Sequence, residues 1–407
     1  MTNEAIMQIF RDTAYVRTGG SPEELACAEY LQAKCASMGL AARIEPFAVD
    51  MATLEQAELW VDGVAVPCKG YKNAGCADLE APLYYLANTD PWSLEQCRGK
   101  IVMVDGYLRY WPYKDMLEHG AVGVITYDGD ANYVDEDIDQ RELRAPMREL
   151  GVIPCVAINA KTAIRLVQNN AATARIVLRQ QEYTGESRNV VLDLPGETGR
   201  NIVFTAHYDS TSLSQGAYDN MSGSVGLLAM AEYFSTHPHR HGLRFVWCGS
   251  EERGLLGSKA YVAAHADELD TIDLNINLDM IGSIMGKFIA CCTSEPALVN
   301  YITYMGQEVG FGVDVWQDVY SSDSTPFADR GIPAISFARV SPREAATIHN
   351  SYDTAEIIKV ENMETDIELI TVFAERMANA VFCPIRKEIP DNVKEKIDEY
   401  LCRTRKK

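Results

Sequence analysis

The chain has 407 residues, 47% of them hydrophobic, and a formal charge of −21, so it can fill more than one core and lacks the basic stripe that a nucleic-acid footprint requires. No run approaches the roughly 18–20 apolar residues of a membrane helix, and the opening "MTNEAIMQIFRDT" carries acids and no apolar signal core. Eleven scattered cysteines without a Cys-x-x-Cys pair read as reduced, mostly buried side chains of a cytoplasmic protein, neither a disulfide frame nor a thiolate metal site.

The first strong element is "SPEELACAEYLQAKCASMG". Ser21 stands at an N-cap, Pro22 at the first helical position, and Glu24 where it completes a capping box; Leu25, Ala28, Leu31, Cys35 and Met38 recur at helical spacing before Gly39. From 49 to 185 the chain turns strand-rich and loop-rich, with "GKIVMVDG", "AVGVITYDG" and "IPCVAINAKTAIRLV", which predicts a small β-rich domain of its own. After "GESRN" the pattern alternates regularly. "NVVLDLPG", "NIVFTAHYDS", "GLRFVWCGSEE", "DLNINLDMIGS", "KFIACCTS" and "GIPAISFARV" read as strands, separated by helices such as "GSVGLLAMAEYFSTH" and "METDIELITVFAERMANAVFC". Strands alternating with amphipathic helices predict a mostly parallel sheet covered on both faces. The tail "KEIPDNVKEKIDEYLCRTRKK", 386–407, reads as a short surface helix with a basic end.

Ligands of such sheets bind beyond the strand carboxyl ends, and polar residues gather there. His207 and Asp209 follow "NIVFTA", Glu251 and Glu252 follow "GLRFVWCGS", and Asp279 follows "DLNINL"; Asp219 precedes a helix, and His349 lies in "TIHNSYDT". Each alone is ordinary: a strand-end histidine is usually structural and a Glu-Glu pair usually solvated. Together in one crevice the acids repel unless cations neutralise them. Two divalent metals do so, and nitrogen and carboxylate donors without thiolates suit zinc, with manganese or cobalt capable of the same chemistry.

"TAHYDS", "GAYDNMSG", "SEERGLLGS", "NLDMIG" and "IHNSYDT", in that order, resemble the two-zinc exopeptidase family of bacterial leucyl aminopeptidases and aminopeptidase Y, over residues 1–48 and 186–385. The resemblance implies a three-layer α/β/α zinc-exopeptidase (phosphorylase/hydrolase-like) catalytic domain with a mixed, mostly parallel sheet. It implies that Asp219 bridges two metals, with His207 and Asp279 completing one site and Glu252 and His349 the other, and that the Asp219–Asn220 peptide is cis. Glu251, free beside the shared water, suits the general base; Asp209, two residues after His207, suits an acceptor for the ligand's other ring nitrogen. Where the family often shows Ser-Asp-His, this chain has "SSDSTPF" with Ser324, which bears on substrate detail and not on the metals; Tyr320 nearby is either an oxyanion donor or a packing residue. The segment 49–185 resembles the inserted protease-associated domain of such peptidases, expected to roof the crevice and limit which peptides enter.

The resemblance implies an aminopeptidase acting on peptide substrates, with no nucleic-acid or membrane partner. Residues alone leave open a carboxypeptidase or dipeptidase, which needs a cationic anchor such as Arg339 or Arg343. A glutaminyl cyclase-like acyl transferase with one zinc and an inactive binding module also remain open. The "HPHRH" run, His237 to His241, reads as an exposed loop at the opposite end of the sheet. His119 and His265 read as structural, without acidic partners in register, and nothing sets the oligomeric state.

Overall fold

The computed structural model describes residues 1–129 and 137–406; Lys407 of the basic tail and residues 130–136 of the insert lie outside the described residues. Two compact units emerge, Met1–Val49 with Glu186–Lys407, and Asp50–Gly185. No helix among the described residues is long and apolar enough to cross a membrane.

The first unit opens with α1 (Asn3–Asp12) and α2 (Pro22–Ser37). Ser21 caps α2, its Oγ accepting the Glu24 N–H at 3.1 Å, and Pro22 presets the first turn. Cys27, Ala28, Leu31 and Cys35 fall on one face and are buried; Gly39, at φ +78°, ends the helix. The capping box forms only by half. Ser21 N–H donates to Thr18 O, and the Glu24 carboxylate turns inward, accepting from Gly20 N–H at 2.8 Å and Ser187 Oγ at 2.7 Å. Donors that would otherwise be buried unsatisfied draw the carboxylate more strongly than an N–H that has another acceptor.

The elements of this unit that frame the sheet are β1 (Thr173–Leu194, its later half), β2 (Asn201–His207), α3 (Ser222–Thr236), β3 (Gly242–Cys248), α4 (Leu256–Ala264), β4 (Ile272–Leu278), β5 (Lys287–Cys292), α5 (Pro296–Val309), β6 (Asp314–Gln317), α6 (Ser324–Asp329), β7 (Ala334–Val340), α7 (Val360–Asn379) and α8 (Asp391–Tyr400). The strands order as β6-β5-β7-β4-β2-β3-β1. β7, β4, β2 and β3 run parallel at the centre, while β1 and β5 pair antiparallel to β3 and β7.

Period-two burial puts Ile202, Phe204 and Ala206 against α3 and α7, and Val203 on the other face with Tyr261 of α4 and Phe327 of α6. Phe204 stacks on Phe245 with ring centroids 4.7 Å apart; each such ring contributes ~1.5–3 kcal/mol by leaving water. The tail helix α8 docks by one edge, Val393 and Ile397 packing with Ile389 against Ala328 and Ala334.

In the second unit, strands Ala77–Tyr85, Ile101–Asp105, Gly123–Asp128 and Cys155–Asn159 run parallel in sequence order. Helices Tyr110–Glu118 and Ala160–Gln168 accompany them, and a core of its own includes Val102, Ile125, Val156 and Ile176. Its apolar strands and short crossover helices make it as much α/β as β-rich.

Candidate metal centre

Strand register brings the polar residues together. β2 and β3 are parallel with Cys248 opposite His207, so the imidazole and the turn Gly249–Glu252 leave the sheet side by side. Asp279 directly follows β4, which is parallel to β2. Asp219 comes from the turn Ala217–Met221, entered through Gly216 at φ +56° and leading into α3; the Asp219–Asn220 peptide is cis. His349 sits in the loop after β7 at φ +62°.

Asp219 faces two ways. Its Oδ1 lies 3.0 Å from His207 Nε2, and Asp279 Oδ1 lies 3.7 Å from the same nitrogen. Its Oδ2 lies 3.0 Å from His349 Nε2, and Glu252 Oε1 is 3.2 Å from that nitrogen. Among the described residues, two groups of histidine and acid donors converge within 4.8 Å: His207 with Asp219 and Asp279, and Asp219 with Glu252 and His349. Two donors each about 2.0–2.1 Å from one zinc at a tetrahedral angle stand about 3.3 Å apart, so the donor spacing fits metal ions. Glu251 belongs to neither group, its Oε2 3.9 Å from His207 Nε2.

The electrostatics point the same way. Burial alone would push the His207 imidazole down, but Glu251, Asp209, Asp219 and Asp279 reverse this and hold it well above its ordinary value. His349 is raised in the same sense, burial being overcome by Glu252 and Asp219. The Glu251 carboxyl is pushed well up by burial and by Glu252, Asp323 and Asp279, against the pull of His207. A cleft that draws positive charge onto both imidazoles, holds Asp219 down between them against its burial, and discourages charge on Glu251, Glu252 and Asp279 is one that a cation suits.

Several groups hold this arrangement. Asp209 accepts the backbone N–H of Glu251 at 2.9 Å and of Glu252 at 3.2 Å, and its Oδ1 stands 3.5 Å from His207 Nδ1. It thus fixes the Glu-Glu turn as well as facing the imidazole. Asn220 ties the Asp219 turn to the Asp279 segment, donating to Leu278 O at 2.9 Å and accepting from Met280 N–H at 3.0 Å.

Two further residues escaped the sequence analysis. Asp353, wholly buried, accepts from Tyr218 N–H at 2.7 Å, Asp219 N–H at 3.2 Å and Ser214 Oγ at 3.1 Å, and so joins the His349 loop to the Asp219 turn. Its signal lay in "HNSYDT", four residues past the histidine. Arg17, also wholly buried, donates to the carbonyls of Thr13, Tyr15, Tyr208, Gln215 and Gly216. It clamps the loop that leads to Asp219, and no periodicity marked it.

The remaining candidates resolve individually. Tyr320 is half-buried, its phenol pushed up by burial and by the Asp279 carboxylate. Ser324 is buried in a ring of hydroxyls with Ser322 and Ser336, each pair 2.9 Å apart. Arg339 is spent on Asp366, its Nε 2.9 Å from Oδ2, and on Gly286 O. Of the "HPHRH" run only part is exposed. His237 stacks on Tyr233 at the surface, but His241 is buried with its Nδ1 2.8 Å from Thr198 Oγ1, because β3 begins there. His265, expected to lack an acid in register, has Glu268 three residues on at 3.7 Å as well as Glu45 Oε2, distant in sequence, at 2.9 Å; His119 lies 3.8 Å from Glu95.

A mixed sheet thus carries two groups of histidine and carboxylate donors beyond the carboxyl ends of its parallel strands. Residues 189–374 match the model of Peptidase family M28. Aminopeptidase YwaD of Bacillus subtilis (strain 168) is 30% identical over 312 residues, 72% of this chain and 64% of its own length. Leucine aminopeptidase 2 of Trichophyton equinum is 40% identical over 97 residues, 23% of this chain and 20% of its own. The chain therefore spans less than two thirds of either relative. Among solved structures, a zinc aminopeptidase from Bacillus subtilis aligns over 96% of this chain and 97% of its own with a TM-score of 0.77 at 23% identity, a likeness of fold.

Proposed function

We propose that the chain is a metal-dependent aminopeptidase that hydrolyses the first peptide bond of peptides with a free amino terminus. The observation that carries this reading is Asp219, whose two oxygens lie in two separate histidine and acid groups, with Glu251 left over beside them. His207, Asp219 and Asp279 would hold one divalent ion and Asp219, Glu252 and His349 the other, zinc being the ion this donor set suits. Such a pair, when bound, supplies Lewis-acid polarisation of the scissile carbonyl and lowers the pKa of water.

The chain's own residues supply the rest. Glu251 takes a proton from the attacking water and returns it to the leaving amine, work typically contributing ~10²–10⁴-fold. Asp209 keeps Glu251 and Glu252 in place through their backbone N–H groups. The Tyr320 phenol, kept protonated by burial, is a donor suited to the developing oxyanion. The chain's charge of −21 favours approach of a protonated amino terminus, and Arg339, one of the two candidate anchors for a terminal carboxylate, is paired with Asp366. The insert is read as a protease-associated-like domain. Eleven cysteines without disulfides favour the reducing cytoplasm.

Removing metal tests the reading. Dialysis against a chelator is expected to abolish turnover of a free-ended peptide, and return of about two zinc equivalents per chain to restore it. Unchanged turnover in chelated protein shown to be metal-free would overturn it.

A further inference from the structure

Arg17 and Glu24 are among the charged groups outside the proposed chemistry that are wholly buried. Arg17 satisfies its donors on five carbonyls. Glu24 is the stranger case, an acid at the first turn of α2 whose nearest cation, Arg188 Nη1, is 4.0 Å away.

What surrounds Glu24 is the back of the turn that presents Glu251 and Glu252. Its Oε1 accepts from Ser187 Oγ at 2.7 Å and lies 3.2 Å from Ser250 Oγ, while the two hydroxyls stand 2.8 Å apart. Ser250 itself sits in the left-handed region at φ +54°, which a non-glycine residue holds only when its surroundings fix it. Packing there leaves no slack. A Cβ on Gly249 would stand 2.3 Å from Arg188 O and 2.7 Å from Glu24 Oε1, and one on Gly19 would stand 2.2 Å from Ser250 Oγ. The two glycines let the segment ahead of α2 press directly onto the turn. On the far side Asp209 holds the next two N–H groups, so the turn is gripped from behind by Glu24 and from the front by Asp209.

We propose that Glu24 is a positioning residue, which fixes the left-handed turn at Ser250 and so aims Glu251 at the reacting water and Glu252 at its metal. As a statement about turnover this rests on the aminopeptidase reading; as a statement about the turn it does not. Burial, with Asp209 adding, pushes the Glu24 carboxyl up to about 7, a cost the fold sustains at this one position of the helix. Displacement of a reacting group by about 1 Å can lose ~10²-fold in rate, so a small shift of this turn is enough to matter.

Glu24→Gln is the test. An amide of the same shape offers one acceptor oxygen where Gly20 N–H and the serine hydroxyls converge on two, so one contact must break. Five quantities are compared in the wild type, Glu24→Gln, Ser250→Ala and the double variant: kcat and KM on a free-ended peptide, zinc per chain, melting temperature, and amide hydrogen exchange of the peptide spanning 249–256. We expect each single variant to lose about 10-fold or more in kcat with KM within about twofold and zinc retained. The double variant should be no worse than the poorer single one, because both act through the same turn. Exchange across 249–256 should quicken while the interior of α2 stays protected. A lowered melting temperature with kcat and exchange unchanged, or losses that multiply in the double variant, would overturn the proposal. Should the wild type cleave no peptide, the peptidase reading fails by itself, and exchange decides alone: faster in Glu24→Gln upholds the positioning role, unchanged rejects it.

Discussion

Glu251→Gln is expected to lower kcat by ~10²-fold or more while leaving zinc content and melting temperature at wild-type values. The amide fills the volume of the carboxylate, and its backbone N–H still reaches Asp209. Neither donor group includes Glu251, so its loss removes no proposed ligand. What disappears is the ability to accept a proton 3.9 Å from the His207 nitrogen, beside the point where both donor groups meet. A variant with near-normal turnover would show that another group takes the proton, and one that also lost zinc would show that Glu251 is a ligand.

The second large effect is on metal itself. Asp219→Ala removes the one side chain common to both groups, leaving His207 with Asp279 and His349 with Glu252. Loss of a residue that merely orients a ligand commonly costs 10–100-fold in metal affinity, so loss of the shared carboxylate should cost more than ~100-fold at both positions. After equal dialysis the variant is expected to hold well under one zinc per chain, by elemental analysis, and to be inactive. His207→Ala, touching one group only, should retain about one. Equal zinc in Asp219→Ala and wild type would remove Asp219 from the centre.

The strand ends explain why so much of this centre was legible. An apolar strand that stops at a histidine or an acid marks a point on the sheet's carboxyl edge, and parallel alternation puts such points side by side, as His207, Glu251, Glu252 and Asp279 are. Asp219 and His349 lie on loops, whose placement periodicity cannot supply; their roles came from the resemblance. β6 and α6 were too short to show a period.

Glu24 illustrates a different limit. Its spacing from Ser21 satisfies a local rule, and half of that rule holds, but the carboxylate obeys Ser187 and Ser250, 163 and 226 positions away. Arg17 and Asp353 likewise earn their places from loop carbonyls and amides that meet only in the fold. His241 is buried because β3 begins there, and a run of alternating histidines gives no sign of that. Side chains whose partners are backbone groups of distant loops leave no pattern in the sequence, and they are the ones that hold this centre in shape.

The most direct test uses two peptides that differ only in the amino terminus, one free and one acetylated, incubated with zinc-loaded protein. Release of the first residue from the free peptide, with the acetylated one left intact, is the expected result of an aminopeptidase. Equal cleavage of both, or cleavage of the acetylated peptide alone, would contradict an aminopeptidase.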